Sequence, residues 1–218
     1  MSDGRRRLIN IRAIILAAGT NNRFEASYPK CFAEVSGRTI IDRLIDQFHH
    51  AGVRDIYVVT RAGLPWHEGW WVELGLRPVS ILMVGDTKCP FDSFRDATKK
   101  ISLGSSTVVV SGDCIIDSRI IEKLVTNHFG IMVVKYPSSK TIENDDNVLG
   151  LSIPGGDFSS FMIACWSVSE GMRFQEFLGN RVSDFFISFP HFAEKPWIGI
   201  NVLDDVKEAE KWLKAKER

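Results

Sequence analysis

Arg23, Lys30 and Asp113 are the residues of this sequence whose types and neighbours suit phosphate chemistry. Arg23 closes the stretch "AIILAAGTNNRF", in which an apolar run ends on Ala17, Ala18 and Gly19. Small side chains there leave the backbone open to a flat base or a phosphate. Successive amides in such a turn form an anion-binding nest. A guanidinium adds a permanent charge that grips phosphate oxygens in a fork. Lys30 follows a proline in "YPK" and is a compact charge suited to a phosphate in motion. The same residues also suit a plain tight turn carrying two surface cations. Asp113 lies in "VVVSGDC", after a strand-like run and a Ser-Gly turn. A carboxylate there could hold a divalent ion against polyphosphate, since magnesium usually takes one or two protein carboxylates. It could equally cap the helix that follows, a task that Asp117 fits better.

The elements that must position these residues read as stacked β-α units. Residues 11–17 form a short buried strand. Residues 39–51 form a helix whose apolar face is Ile40, Ile41, Leu44, Ile45 and Phe48, with Gly52 as its C-terminal cap. "DIYVVT", "SILMV" and "STVVVSGD" are further strands. Phe91, Phe94, Thr98 and Ile101 line a helix, "SRIIEKLVTNH" supplies another, and "GIMVVKY" is a strand. "NVLGLSIPGGDFSSFMIACWSV" reads as a strand, a Gly-Gly turn and a returning strand. "WIGINVL" is a last strand, before a helix capped by Asp204 or Asp205. The pattern predicts an α/β fold, a mostly parallel sheet covered on both faces with an antiparallel edge. Ligands in such sheets bind beyond the carboxyl ends of the strands, where "AAGTNNR", "SGD" and "GINVLDD" all fall.

The composition bounds the function. The chain has 218 residues, 44% hydrophobic and 25% charged, with 27 basic and 27 acidic side chains. No net field recruits nucleic acid or an anionic membrane, and no apolar run approaches the roughly 18 residues of a membrane span. The expectation is a cytoplasmic protein: residues 1–10, with Arg5 to Arg7, form a flexible tail, and residues 11–218 form a single domain. Cys31, Cys89, Cys114 and Cys165 show no metal or redox spacing and are read as reduced thiols. His49, His50, His128 and His191 have no metal-like spacing. "WHEGWW" lacks the second histidine of a zinc-protease helix and is read as an amphipathic or interface helix. Its Trp70 and Trp71 suggest a homodimer. Lys135 and Lys195 are read as surface lysines.

Taken together, "LAAGTNNRF", "YPKCFAEVSGRTIIDRLI", "SGDC" and "GINVLDDVKEAEKW" resemble the sugar-phosphate and alcohol-phosphate nucleotidyltransferases, in order and spacing over residues 11–213. The resemblance implies a Rossmann-like three-layer α/β/α fold, magnesium, and a nucleoside triphosphate whose α-phosphorus is attacked by an acceptor phosphate as pyrophosphate leaves. It places the backbone of Leu16, Ala17, Ala18 and Gly19 against the base, with Thr20, Asn21, Ser93 and Gly112 completing the nucleotide site. Arg23 would meet the polyphosphate, Lys30 would bridge the α-phosphate and the acceptor, and Asp113 and Asn201 would hold the metal. Two motifs depart from the pattern: Asn21 replaces a signature glycine, and Gly199 and Asn201 stand where acids are frequent. The LAAG form and the short chain lean toward cytidylyltransferases with CTP and a small phosphate monoester or phosphonate, phosphocholine included. A sugar-1-phosphate uridylyl- or guanylyltransferase and a catalytically weak nucleotide-binding module are the alternatives. A glycosyltransferase is disfavoured because no Asp-x-Asp occurs in the chain.

Overall fold

In the computed structural model, residues 11–19, 23–24, 26, 28–61, 68–102, 105–136, 147–180, 184–190 and 197–216 are described. The expected tail and the positions of Thr20, Asn21, His191 and Lys195 lie outside them. The strands of the first half are β1 (Ile11–Leu16), β2 (Glu34–Val35), β3 (Arg38–Thr39), β4 (Asp55–Arg61), β5 (Ser80–Val84), β6 (Ser106–Ser111) and β7 (Cys114–Ile116). Those of the second half are β8 (Ile131–Tyr136), β9 (Asn147–Ile153), β10 (Ile187–Ser188) and β11 (Trp197–Gly199). The helices are α1 (Ile40–His50), α2 (Glu68–Gly75), α3 (Pro90–Thr98), α4 (Ser118–Val125), α5 (Gly155–Trp166), α6 (Phe174–Asn180) and α7 (Asp204–Lys216).

A seven-stranded sheet runs β10-β8-β9-β6-β1-β4-β5. β5, β4, β1 and β6 are mutually parallel, and β9 is antiparallel to both of its neighbours. The antiparallel strand is therefore interior, not at an edge. β1 shows why the parallel strands are apolar throughout: Ala13 and Ile15 enter one core cluster, and Ile14 enters the cluster on the other face. Alternating side chains leave a two-faced strand no solvent side. Helix α1 contributes all five predicted apolar residues to the first cluster. It is capped by Thr39, whose side chain accepts from the Asp42 amide, and Gly52 follows at φ 87°. Helices α3, α5 and α6 cover the second face. The three-layer α/β/α expectation holds.

Three expectations about the C-terminal third do not. "GGDFSSFMIACW" is helix α5, with Phe158, Phe161, Met162 and Cys165 buried. Those positions repeat at helical spacing, and the paired glycines open the helix after Pro154 instead of turning a hairpin. "WIGINVL" yields only β11, which pairs antiparallel with β7 outside the main sheet. Neither Asp204 nor Asp205 occupies the cap: both lie inside α7, and the Asp205 carboxylate reaches back to the amides of Asn201 (2.6 Å) and Val202 (2.9 Å). Asp117 does cap α4, accepting from the Arg119 amide.

Lys135 is not on the surface. It is 2% exposed, with its ammonium 5.6 Å from the Phe189 ring centre. Trp71 is half-buried and meets Phe32 edge-on at 5.0 Å, so it packs inside the chain. Among the described residues, no helix is long and apolar enough to cross a membrane.

Candidate active site

The carboxyl ends of β1 and β6 meet first. The Gly112 amide donates to the Leu16 carbonyl at 2.8 Å, and a Cβ on Gly112 would stand 2.8 Å from that oxygen. Glycine is required there because one backbone presses on another. Beyond β1, the Ala17 amide donates to the Val59 carbonyl at 2.8 Å, so it is not available to a ligand as the sequence suggested. The open part of the turn begins at Ala18 and Gly19, and a Cβ on Gly19 would meet nothing within 4 Å.

Side chains from distant segments then converge. Lys30, at the start of a short 3-10 turn over Lys30–Phe32, places its ammonium 3.8 Å from Asp113 Oδ2. The other Asp113 oxygen accepts from Ser111 Oγ at 2.6 Å and from Cys114 Sγ at 3.6 Å. The late segment is tied in through its backbone: the Ile200 amide donates to the Asp113 carbonyl at 2.8 Å, next to the β11–β7 pairing of Gly199 with Cys114. This delivers Asn201, whose Oδ1 accepts from the Arg23 guanidinium at 3.4 Å. The structure thus brings Arg23, Lys30, Asp113 and Asn201 together from the beginning, the middle and the late part of the chain.

Two adjoining cavities open on this cluster. A cavity of about 360 Å³ is bounded by Leu16 to Gly19, Lys30, Ser93 and Gly112. A larger one, about 680 Å³, extends along β6 and β9 toward Arg173 and Trp197. Arg23, Asp113 and Asn201 line both. Ser93 is 3% exposed, and its hydroxyl shares a 2.7 Å hydrogen bond with Thr87 Oγ1. Thr87, Cys89, Ser111 and Arg173 also line the cavities and were not read as site residues from the sequence. Ser111 has a signal, lying two residues before Asp113 on the same turn; Arg173 stands in no recognisable pattern.

Burial pushes the Cys31 thiol well up, and the charge of Asp113 adds to the effect. Burial likewise raises the Cys89 thiol. Both are therefore neutral thiols that fill the wall, not thiolate nucleophiles. Among the described residues no group of three or more His, Cys, Asp or Glu could hold a metal. One carboxylate facing a cation-lined cavity, 37% exposed at its side chain, nevertheless suits a magnesium ion that arrives already bound to polyphosphate.

A family model described as "MobA-like NTP transferase domain" matches residues 13–149. The bifunctional protein GlmU of Clostridioides difficile is 39% identical over 51 residues, which are 23% of this chain and 11% of that protein. The chain thus matches only a small part of that relative's length. Among solved structures, the CTP:phosphocholine cytidylyltransferase of Streptococcus pneumoniae superposes with a TM-score of 0.68 at 15% identity, covering 94% of this chain and 100% of that one. The inositol-1-phosphate CTP transferase of T. maritima gives 0.68 at 17% identity, covering 93% and 96%. At such identities the likeness is one of fold.

Proposed function

The chain belongs to the family of MobA-like NTP transferase domains, and from that premise we propose that it is a nucleotidyltransferase. It joins a nucleoside monophosphate, from a nucleoside triphosphate, to a small phosphorylated acceptor. The observation that carries this reading is the meeting of Arg23, Asp113 and Asn201 on the wall shared by two cavities, with Lys30 beside Asp113 in the smaller one. A donor in the smaller cavity and an acceptor in the larger would meet across that wall.

An acceptor phosphate oxygen attacks the α-phosphorus, the bond to the β-phosphate oxygen breaks, and pyrophosphate leaves with the electron pair. The protein's share is positioning and charge neutralisation. The Ala18 and Gly19 amides, which donate to no backbone carbonyl among the described residues, approach the nucleotide, and Arg23 holds the polyphosphate. Lys30, held near Asp113, balances the charge that gathers as the two phosphates approach. Asp113 would hold magnesium, and Asn201 orients Arg23 while offering a neutral oxygen beside it. Magnesium supplies charge neutralisation of the triphosphate and of the departing pyrophosphate. The donor favoured is CTP, supported by the LAAG form and the cytidylyl-transferring neighbours of the same fold.

The test is a thermal-shift panel of CTP, UTP, GTP, ATP and dTTP with and without magnesium, followed by pyrophosphate release with phosphate monoesters. Selective binding to the folded state raises its melting temperature by mass action. A magnesium-dependent shift with one nucleotide and acceptor-dependent pyrophosphate release support the transferase. A shift indifferent to magnesium, without release, supports the binding-only module that the neutral Asn201 suggests. No shift with any nucleotide overturns the site.

A further inference from the structure

The larger cavity carries a feature that transfer chemistry does not use. Its charged side chains among the described residues are Arg23 and Asp113, on the shared wall, and Arg173, which lines the larger cavity alone. Much of the remaining wall is apolar, including Phe91, Leu151, Phe174 and Trp197. The Arg173 side chain is exposed and its guanidinium has no hydrogen bond or ion pair among the described residues.

Its backbone, by contrast, is fixed from several sides. Gly171 sits at φ +85°, and its amide donates to both oxygens of Asp92, at 3.0 and 3.1 Å. Asp92 is 2% exposed and also accepts from the Lys88 amide (3.3 Å) and pairs with Arg95 (3.4 Å). Arg95 in turn donates to the Val168 carbonyl at 3.0 Å. Cys89 Sγ donates to the Met172 carbonyl at 3.1 Å, and Phe174 packs edge-on against Phe91 at 4.9 Å. Burying a carboxylate is unfavourable unless it is well paired. Here a buried carboxylate joins the loop before α3 to the turn from which Arg173 projects. The outcome is a rigid base under an uncommitted cation at a cavity wall.

Resting on the transferase reading, we propose that Arg173 is a specificity-determining residue. It selects acceptors that carry a second negative group, such as a carboxylate, in addition to the phosphate that receives the nucleotide. The larger cavity has no acid other than Asp113 among its described walls, so a cationic acceptor head finds no counter-charge there. A guanidinium supplies a planar fork for a carboxylate. A quaternary ammonium, which the charge of Arg173 repels, is therefore expected to bind less tightly than a carboxylate, although the fold is shared with an enzyme named for phosphocholine.

Three probes of similar size separate the cases: 3-phosphoglycerate, glycerol 3-phosphate and phosphocholine. Each is titrated by calorimetry at low salt into the protein saturated with magnesium and a non-hydrolysable α,β-methylene nucleotide. The carboxylate probe should bind at least about tenfold tighter than phosphocholine. In Arg173→Gln that ratio should fall below about threefold, with nucleotide affinity unchanged, and Arg173→Glu should invert the order. Equal binding of the three probes overturns the proposal, as does no probe binding while nucleotide does. So does a tenfold preference that survives in Arg173→Gln, or a loss of nucleotide affinity in that variant. If nucleotide binds to none of the proteins, it is the transferase reading that fails.

Discussion

The two ends of the central strands treat their cations in opposite ways. At the amino ends, Arg12 is 3% exposed and fully committed, bonding to Asp55 at 2.9 Å and to the Ser102 carbonyl at 2.5 Å. At the carboxyl ends, Lys30 lies 3.8 Å from Asp113 and Arg23 makes a 3.4 Å contact with Asn201. Within the carboxyl ends the glycines differ in turn: Gly112 is packed against a carbonyl, whereas Gly19 faces open space. One end spends its charges on holding strands together, and the other sets them on the walls of a cavity. Strength and availability are alternatives for a given side chain.

Substitutions can break that contrast. Lys30→Ala and Asp113→Ala should each lower pyrophosphate release by about 10²–10³-fold, the scale of losing a group that stabilises developing charge. Their melting temperatures should stay within about 2 °C of the parent; a large drop would mean that the pair is structural. Arg12→Ala should do the reverse, removing about 2 kcal/mol of stability by denaturant titration. A fully buried pair costs more to break, but the Asp55 side chain is 30% exposed. Turnover of the remaining folded Arg12→Ala protein should be close to that of the parent.

Two smaller changes sharpen the comparison. Gly112→Ala should cost about 1–2 kcal/mol, since its Cβ must push a backbone carbonyl. Gly19→Ala should leave stability within about 0.5 kcal/mol while weakening nucleotide binding several-fold. Equal melting losses in the two would erase the distinction between a packed and an open turn.

The smallest effect separates two aspartates four residues apart. Asp117 is held down to about 2, chiefly by its side-chain hydrogen bond with Arg119. A depressed carboxyl adds stability that is present in full above its ordinary value near 4 and is lost as pH falls toward 2. Asp117→Asn should therefore flatten the acid side of the stability curve between about pH 4 and pH 2 and leave turnover unchanged. An unaltered acid limb would show that Asp117 contributes nothing there.

Much of this was legible before any coordinates. The runs at β1, β4 and β6 are apolar because both of their faces are covered, and a continuous apolar stretch bounded by turn residues is a local signal. The same holds for α1, whose five-residue face is fixed by helical spacing. The segment of α5 misled because two adjacent glycines imitate a hairpin turn, while the burial of Phe158, Phe161, Met162 and Cys165 depends on the helices α3 and α6 beside it. The antiparallel insertion of β9 between β6 and β8 is a pairing choice between segments, and no single segment encodes it.

The sequence by itself determined the layered α/β class, the phosphate-suited turn after β1 and the carboxylate after β6, because each rests on local residue order. Only the tertiary structure decided that the Ala17 amide is already taken, that Asn201 faces Arg23, and that Lys135 is buried. It also decided that Asp92 braces the turn bearing Arg173. Those are relations between groups far apart in the chain. They exist only once the sheet has closed and two distant backbones compete for the same space.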